Sequence, residues 1–410
     1  MQSPRRTIDL RSVNRQTVLR RLYFDGPMSR LEISQHSRLS PATITNVVND
    51  LLKEDIVIET GLVESEGGRP RTILAVNPQH GYFIGVDLGE THVQLDLFDL
   101  HMTKQKTARY LVAPQDNSPE QFIQHIVNGL DELLKTEGLK PEMILGVGVG
   151  LPGLVERGGK YNVSSPIWKW ENVPFGEMLR SRITLPVFLD NGAKAMALAE
   201  TWFGAGRGYQ NLIVVLLGTG IGSGIITHGS LYRGPTNSAG ELGHTIIVLD
   251  GRSCRCGSRG CLEAYAGAPG MIATLHDLAP DSPLLRTNDE DDDQLAILNN
   301  LVAGVEQGDP TAIETVRATA YYLSAAIANV VNLFNPEMIV VGGWVGLQIG
   351  STILDYLREY VDQYALPPLR KVVQIEISQL GQDAICMGAA CLVLDQFLAG
   401  NPKFMRKNPS

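Results

Sequence analysis

Cysteine is scarce, with five residues in a chain of 410. Three of the five fall between positions 254 and 261, so no disulfide framework spreads along the chain, and a reducing cytoplasm is the expected compartment. No apolar run approaches the length of a membrane span, which excludes insertion into a bilayer. The N-terminus is rich in arginine but lacks a following apolar core, so it does not read as a signal peptide. Tandem repeats and low-complexity tracts are absent as well. Positive charge is in short supply: 35 Lys and Arg against 44 Asp and Glu give a net charge of -9. Taken over the whole chain, that balance argues against nucleic acid.

The distribution of charge alters this conclusion. Residues 1–38 carry eight arginines against Asp9, Asp25 and Glu32, a local balance of +5. An acidic body with a basic arm can bind DNA through the arm. Length predicts two or three domains with sizeable cores, and 44% hydrophobic with 19% charged residues is a globular composition.

Within the basic arm, residues 8–25 read as a helix with Val18, Leu19, Leu22 and Tyr23 on one stripe, stopped by Gly26-Pro27. Ser29-Arg-Leu-Glu32 is a capping box that opens a short second helix, to about His36. Ser40-Pro41 opens a third. Ile44, Val48, Leu51 and Leu52 share its apolar face, and Thr43, Thr45, Asn46 and Asn49 the opposite one. Short polar side chains on an exposed helix after a tight turn suit a major groove. A small bundle for protein contact is the competing reading. Ile56–Ile58 and Ile73–Val76 then read as strands of a hairpin with a long tip. The tip carries Gly67-Gly68-Arg69-Pro70-Arg71, narrow enough for Arg69 and Arg71 to reach a minor groove. Arg15, Arg20 and Arg38 are expected as phosphate contacts.

The densest chemistry lies between Glu241 and Glu263. His244, Cys254, Cys256 and Cys261 supply one imidazole and three thiols, a closed tetrahedral set for structural zinc with no position open to a reacting water. Gly257 and Gly260 let the loop curl. A cluster of buried free thiols, or a disulfide, is the alternative. The loop also brings Glu241, His244 and Glu263 into one neighbourhood, where carboxylates can accept hydroxyl protons.

This block, Glu-Leu-Gly-His followed by Cys254-Arg-Cys256-Gly-Ser-Arg-Gly-Cys261-Leu-Glu263, resembles the signature of the ROK family. That family groups bacterial sugar-responsive repressors, open reading frames and sugar kinases. The resemblance implies that Glu241, His244 and Glu263 hold sugar hydroxyls while His244 and the three cysteines hold zinc. Residues 8–76 resemble the winged helix carried by ROK repressors and absent from ROK kinases. Tyr82–Gly89 resembles the first phosphate loop of the sugar kinase and actin-like ATPase fold, with Glu90 in place of a second glycine. That carboxylate repels a triphosphate unless it points outward. Gly150–Gly153 resembles the family's sugar-side loop, and Gly342-Gly343 its adenosine-side loop. Trp168 and Trp170 stand either over a sugar ring or in the core.

Asp190-Asn-Gly-Ala-Lys aligns on the kinase pattern Glu-Asn-Asp-Ala-Asn. Asn191 matches the sugar-contacting asparagine, and Gly192 stands where the kinases have their catalytic Asp. Glycine cannot act as a base, and a positioned base is typically worth ~10²–10⁴-fold. Asp190 is the one nearby substitute. Gly218–Gly224 resembles the second phosphate loop, or survives only as a tight turn. Asp289–Asp293 is expected to be a solvated loop.

The expected fold is α/β: a winged helix-turn-helix over residues 1–76, then a two-lobed actin-like sugar kinase fold with a zinc loop. The first lobe spans 79–190 and is completed by a C-terminal helix at 384–400; the second spans 191–383. The expected function is a DNA-binding repressor of carbohydrate-utilisation genes, without catalysis. Its partners would be an A·T-rich inverted-repeat operator and a sugar or sugar phosphate, bound by a homodimer or tetramer. The alternatives are an ATP-dependent sugar kinase that also binds DNA, and a scaffold sequestered by a transporter.

Overall fold

The computed structural model describes residues 10–65, 68–113, 116–135, 139–156, 160–287 and 294–400. The Arg69 side chain, the acidic run 289–293 and the tail 402–410 lie outside the described residues.

Local signals set the N-terminal elements. Helix α1 spans Leu10–Phe24, strand β1 Met28–Ser29, α2 Arg30–Ser37 and α3 Pro41–Lys53. The Ser29 hydroxyl accepts the Glu32 N–H while the Glu32 carboxylate accepts the Ser29 N–H, so both free donors at the start of α2 are satisfied. Ser40 caps α3 through Thr43 N–H at 3.2 Å, with Pro41 in the first turn. Ile44, Val48 and Leu51 are buried against Val18, Leu19, Leu22 and Ile33. Strands β2 (Val57–Ser65) and β3 (Gly68–Val76) pair along their whole length, with irregularities between Glu59/Gly61 and Val63/Ser65. The wing is therefore longer than expected, and its tip shorter. Val63, Thr72 and Ile73 keep the ladder going past the buried part.

Two arginines expected on phosphates are used inside the protein. Arg15 is buried and grips both oxygens of Glu54 at 2.9 and 2.6 Å, tying α1 to the end of α3. Arg20 pairs with Asp395 at 3.2 Å and lies over the rings of Phe24 and Trp202. Each has an acceptor far away in sequence, which a count of local charge cannot reveal. Arg38 is exposed, in a left-handed conformation at the end of α2.

Beyond residue 80 the chain builds one plan twice. Strands β4 (Tyr82–Leu88), β5 (His92–Asp99) and β6 (Lys104–Leu111) form an antiparallel meander; α4 (Pro119–Leu134) then leads to β7 (Ile144–Leu151). Short strands β8 (Leu154–Val155), β9 (Val163–Ser165) and β10 (Trp170–Val173) make a small separate sheet, followed by α5 (Phe175–Arg182) and β11 (Val187–Asn191). The five-stranded order is β11-β7-β4-β5-β6, with β7 and β11 parallel to β4. After α6 (Gly192–Phe203), a second meander of β12 (Leu212–Leu217), β13 (Ile221–Thr227) and β14 (Ser230–Tyr232) is extended by parallel β15 (Met338–Gly342) and β16 (Gln374–Ile377). The second sheet thus repeats the first strand for strand, although no repeat is visible in the sequence.

Alternation along the strands decides what covers each face. In the second sheet Leu212, Val214, Met338 and Val340 face α6, whereas Ile213, Val215, Ile339 and Val341 face the helices inserted after the loop. These are α7 (Glu263–Ala266), α8 (Ala268–Leu278), α9 (Gln294–Glu306), α10 (Pro310–Phe334), α11 (Gly343–Tyr364) and α12 (Pro367–Arg370). In the first sheet Ile84, Val86, Val147 and Val149 face α4, and Phe83 faces the last helix, α13 (Ala384–Leu398). Trp168 and Trp170 are buried beside Phe122 and Phe175, so they belong to this core and do not stack on a ligand. Trp170 Nε1 donates to the Asn117 carbonyl at 3.0 Å.

Helices α6 and α13 cross between the two sheets at unusually close range. A β-carbon at Gly85 would overlap the Cys386 carbonyl, one at Gly148 the Ala389 carbonyl, and one at Gly388 the Ala195 carbonyl. Gly148→Ala should therefore unfold at markedly lower urea, losing at least ~2 kcal/mol by overpacking. Gly61→Ala, which meets nothing within 4 Å, should stay within ~0.5 kcal/mol of the parent. Equal midpoints for the two variants would refute the close-packing account.

Candidate functional site

The site grows from the edge of β13. Ser223 donates its N–H and its hydroxyl to the Gly240 carbonyl, at 3.0 and 2.7 Å, so the chain returns against the strand. Gly243 has no room for a β-carbon beside Ile221. A 3₁₀ turn, Leu242–His244, then carries Glu241 and His244 on the same short segment. The following loop folds back through bridges at Ile246/Cys261 and Ser253/Arg259, with Gly257 and Gly260 at φ of 90° and 76°. Cys254 N–H donates to the Ser258 carbonyl at 2.9 Å, closing the tip.

This folding brings His244, Cys254, Cys256 and Cys261 together, with ligand atoms all within 4.8 Å of one another. Cys256 and Cys261 sulfurs are 3.8 Å apart, and the Cys254 sulfur is 3.7 Å from His244 Nδ1. Metal–sulfur bonds of about 2.3 Å and metal–nitrogen bonds of about 2.0–2.1 Å at tetrahedral angles give ligand separations of about 3.6–3.8 Å. None of the cysteines is in a disulfide. Burial pushes the Cys254 thiol up to about 12, so a bare thiolate is disfavoured there and a cation is what would stabilise it. The four residues can hold one metal ion. With Nδ1 turned to the sulfurs, His244 keeps its other nitrogen for a second partner.

Glu263 opens α7 and is 8% exposed. Its Oε2 accepts the Ile221 N–H at 3.0 Å and its Oε1 accepts Arg255 Nε–H at 2.9 Å. Burial raises the Glu241 carboxyl above the ordinary range; Lys194 and His244 pull it down and Glu263 pushes it further up. Those mutual effects put Glu241, His244 and Glu263 in one electrostatic neighbourhood. Asn191 stands at the start of α6. Its side-chain oxygen caps the helix through Ala193 and Lys194 N–H, and its amide donates to the Gly153 carbonyl at 2.9 Å. One amide hydrogen remains for a ligand.

Asp190 is fully buried and committed. It accepts from Arg233, from Asn237 Nδ2 at 3.1 Å and from the Asn191 N–H at 2.9 Å. Both of its oxygens are therefore already hydrogen-bonded. At Gly192 a β-carbon would meet only ordinary contacts, the nearest at 3.7 Å, so packing does not impose glycine there.

Several backbone donors of the two glycine loops already have internal partners. Gly218 N–H donates to the Gly220 carbonyl at 2.9 Å, and Ile221 N–H is taken by Glu263. Trp344 lies 3.2 Å from where a Gly218 β-carbon would be. In the first loop Glu90 points inward, its carboxylate 3.3 Å from Arg255. Burial raises the Glu90 carboxyl and Arg255 opposes the shift.

Sequence reasoning overlooked Lys194, Arg233 and Arg255. Lys194 is 1% exposed and donates to the Asn237 carbonyl beside Glu241. It was visible as a lysine in a kinase asparagine position. Arg255 stands between two of the cysteines with nothing in its neighbourhood of the sequence to signal a role. Of the residues expected on DNA, Thr45, Asn46, Asn49 and Arg71 are exposed, and Thr43 is half-buried with its hydroxyl 2.9 Å from Ser40.

The description of the ROK family matches residues 83–396. The chain is 30% identical over 390 residues to the xylose repressor of Caldicellulosiruptor bescii, covering 95% of this chain and 97% of that protein. Among solved structures it is similar to a ROK family transcriptional regulator, a homologue of the E. coli MLC protein. The TM-score is 0.81 at 27% identity, over 95% of this chain and 97% of the other. A ROK family glucokinase from Streptomyces griseus, solved with glucose and AMPPNP, has a TM-score of 0.68 at 31% identity, over 77% of this chain and 100% of its own.

The Arg233–Asp190 pair yields a direct test. Asp190 has 0% and Arg233 19% side-chain exposure. Arg233→Met should strand a buried carboxylate and cost ~3–5 kcal/mol in chemical denaturation. A loss below ~1 kcal/mol would show that Asp190 is free.

Proposed function

Because the chain belongs to the ROK family, we propose that it is a sugar-responsive transcriptional repressor without kinase activity. The observation that carries this reading is the pairing of an N-terminal three-helix unit and hairpin with a family site that has no available base. The unit precedes the family match, and the C. bescii xylose repressor and the solved regulator resemble this chain along nearly all of its length. Residues 1–76 act as a winged helix: α3 enters the major groove with Asn46 and Asn49 foremost, Thr43 and Thr45 beside them, and Arg69 and Arg71 follow the minor groove. Two copies in a dimer would read an inverted repeat with A·T-rich flanks.

In the sensor, Glu241 and Glu263 accept hydroxyl protons, and Asn191 and His244 complete the sugar contacts. Zinc held by His244, Cys254, Cys256 and Cys261 fixes the loop that carries three of these four groups. Sugar shifts the angle between the lobes, and hence the spacing of the two DNA-binding units, to the extent that it binds one arrangement more tightly.

The glucokinase likeness keeps a second reading in play, ATP-dependent phosphorylation of the same sugar. Gly192, the committed Asp190 and the inward Glu90 count against it. A coupled assay for ADP release should show none above background.

Elemental analysis of the purified protein should find about one zinc per chain. Cys256→Ser should lower both zinc content and the sugar-induced rise in Tm; a native protein free of metal rules the zinc reading out.

A thermal-shift panel of hexoses, pentoses and amino sugars should contain a stabilising ligand, and Glu263→Ala should abolish its effect. In mobility shifts at fixed salt, Asn46→Ala should lose ~1–3 kcal/mol of discrimination at one position per half-site. Removal of residues 1–76 should abolish binding; equal affinity for every duplex with or without them would end the repressor reading.

A further inference from the structure

The Arg255 guanidinium joins two carboxylates that belong to different halves of the sensor. Its Nε–H donates to Glu263 Oε1 at 2.9 Å, and its terminal nitrogen meets the Glu90 carboxylate at 3.3 and 3.4 Å. Glu90 lies in the turn between β4 and β5 of the first sheet, whereas Arg255 and Glu263 belong to the loop packed on the second. Side-chain exposures of 27%, 31% and 9% for Glu90, Arg255 and Glu263 make the chain of charges partly shielded from water, where such pairs are stronger than on an open surface.

We propose that Arg255 is the coupling residue of the sensor, a latch across the cleft that senses sugar through Glu263. The proposal rests on the sugar site described above. Glu263 has two oxygens, one held by the Ile221 N–H and the other by Arg255. A sugar hydroxyl that donates to Oε1 competes with Arg255 for that oxygen and loosens the contact that anchors the guanidinium. The Glu90 end then loses its fixed partner, and the two halves are released from their present spacing. Sugar and latch are alternatives at one atom, so each must weaken the other by the same factor.

The test is Glu90→Gln in the full-length protein, which removes the charge at the far end of the latch and leaves the sugar and DNA contacts in place. The first arm needs no ligand. Distance distributions between bioorthogonal spin labels at exposed Glu120 and Asp355 should broaden or lengthen in Glu90→Gln relative to the parent. In the second arm, the ratio of DNA affinities without and with the stabilising sugar should fall at least about fivefold, toward unity. Sugar-free Glu90→Gln should bind DNA as the sugar-bound parent does, and it should bind sugar more tightly. Glu90→Asp, which keeps the charge, should fall between the two. An unchanged distance distribution overturns the latch whatever the sugar does, as does unchanged coupling. A parent protein that responds to no sugar, together with a widened Glu90→Gln cleft, would instead sink the sugar reading and with it the latch's role in sensing, leaving only a link that holds the two halves together.

Discussion

Backbone-to-backbone packing of α6 and α13 is the constraint from which the rest of the structure follows. Where they cross, Gly388 leaves no side chain between the two helices, and Gly85 and Gly148 let α13 sit directly on the first sheet. Close approach of this kind maximises dispersion contacts and leaves little freedom to slide. It also means that the two sheets share one thin helical layer. Helix α6 is buried against β12 and β13 through Met196 and Ala197, while α13 serves the first sheet. A rotation of one half against the other must take place around that layer. Two ion pairs, Arg233–Asp190 and Arg255–Glu90, span it.

The same helical layer ties the N-terminal unit to the sensor. Phe24 packs edge-on against Trp202 near the end of α6, and Arg20 reaches both Trp202 and Asp395 of α13. Asn191 caps the other end of α6. Ten helical residues, 192–201, therefore lie between Asn191 and Trp202, which holds α1.

What could be read in the sequence follows from interaction range. The Ser29 capping box, the Ser40-Pro41 helix start and the three clustered cysteines are all encoded within a few residues, and each is found in place. Long-range pairings were invisible. Arg15 and Arg20 were assigned to phosphates because Glu54 and Asp395 lie 39 and 375 positions away. Arg255 shows no partner in the sequence because Glu90 is 165 residues distant. The duplicated strand order escaped notice because topology can be conserved by a pattern of burial while every side chain differs. Trp168 and Trp170 left two readings open, and only their neighbours in space, Phe122 and Phe175, decide for the core.

Gly192 has room for a β-carbon, so an alanine there should be accommodated. The Gly218 and Ile221 N–H groups would still be engaged, Glu90 would still face inward, and Arg255 would still occupy the space between them. The region around Gly192 is thus interlocked: a side chain added there leaves untouched the partners that Gly218, Ile221, Glu90 and Arg255 already have, so remodelling this corner takes several coordinated changes and not one.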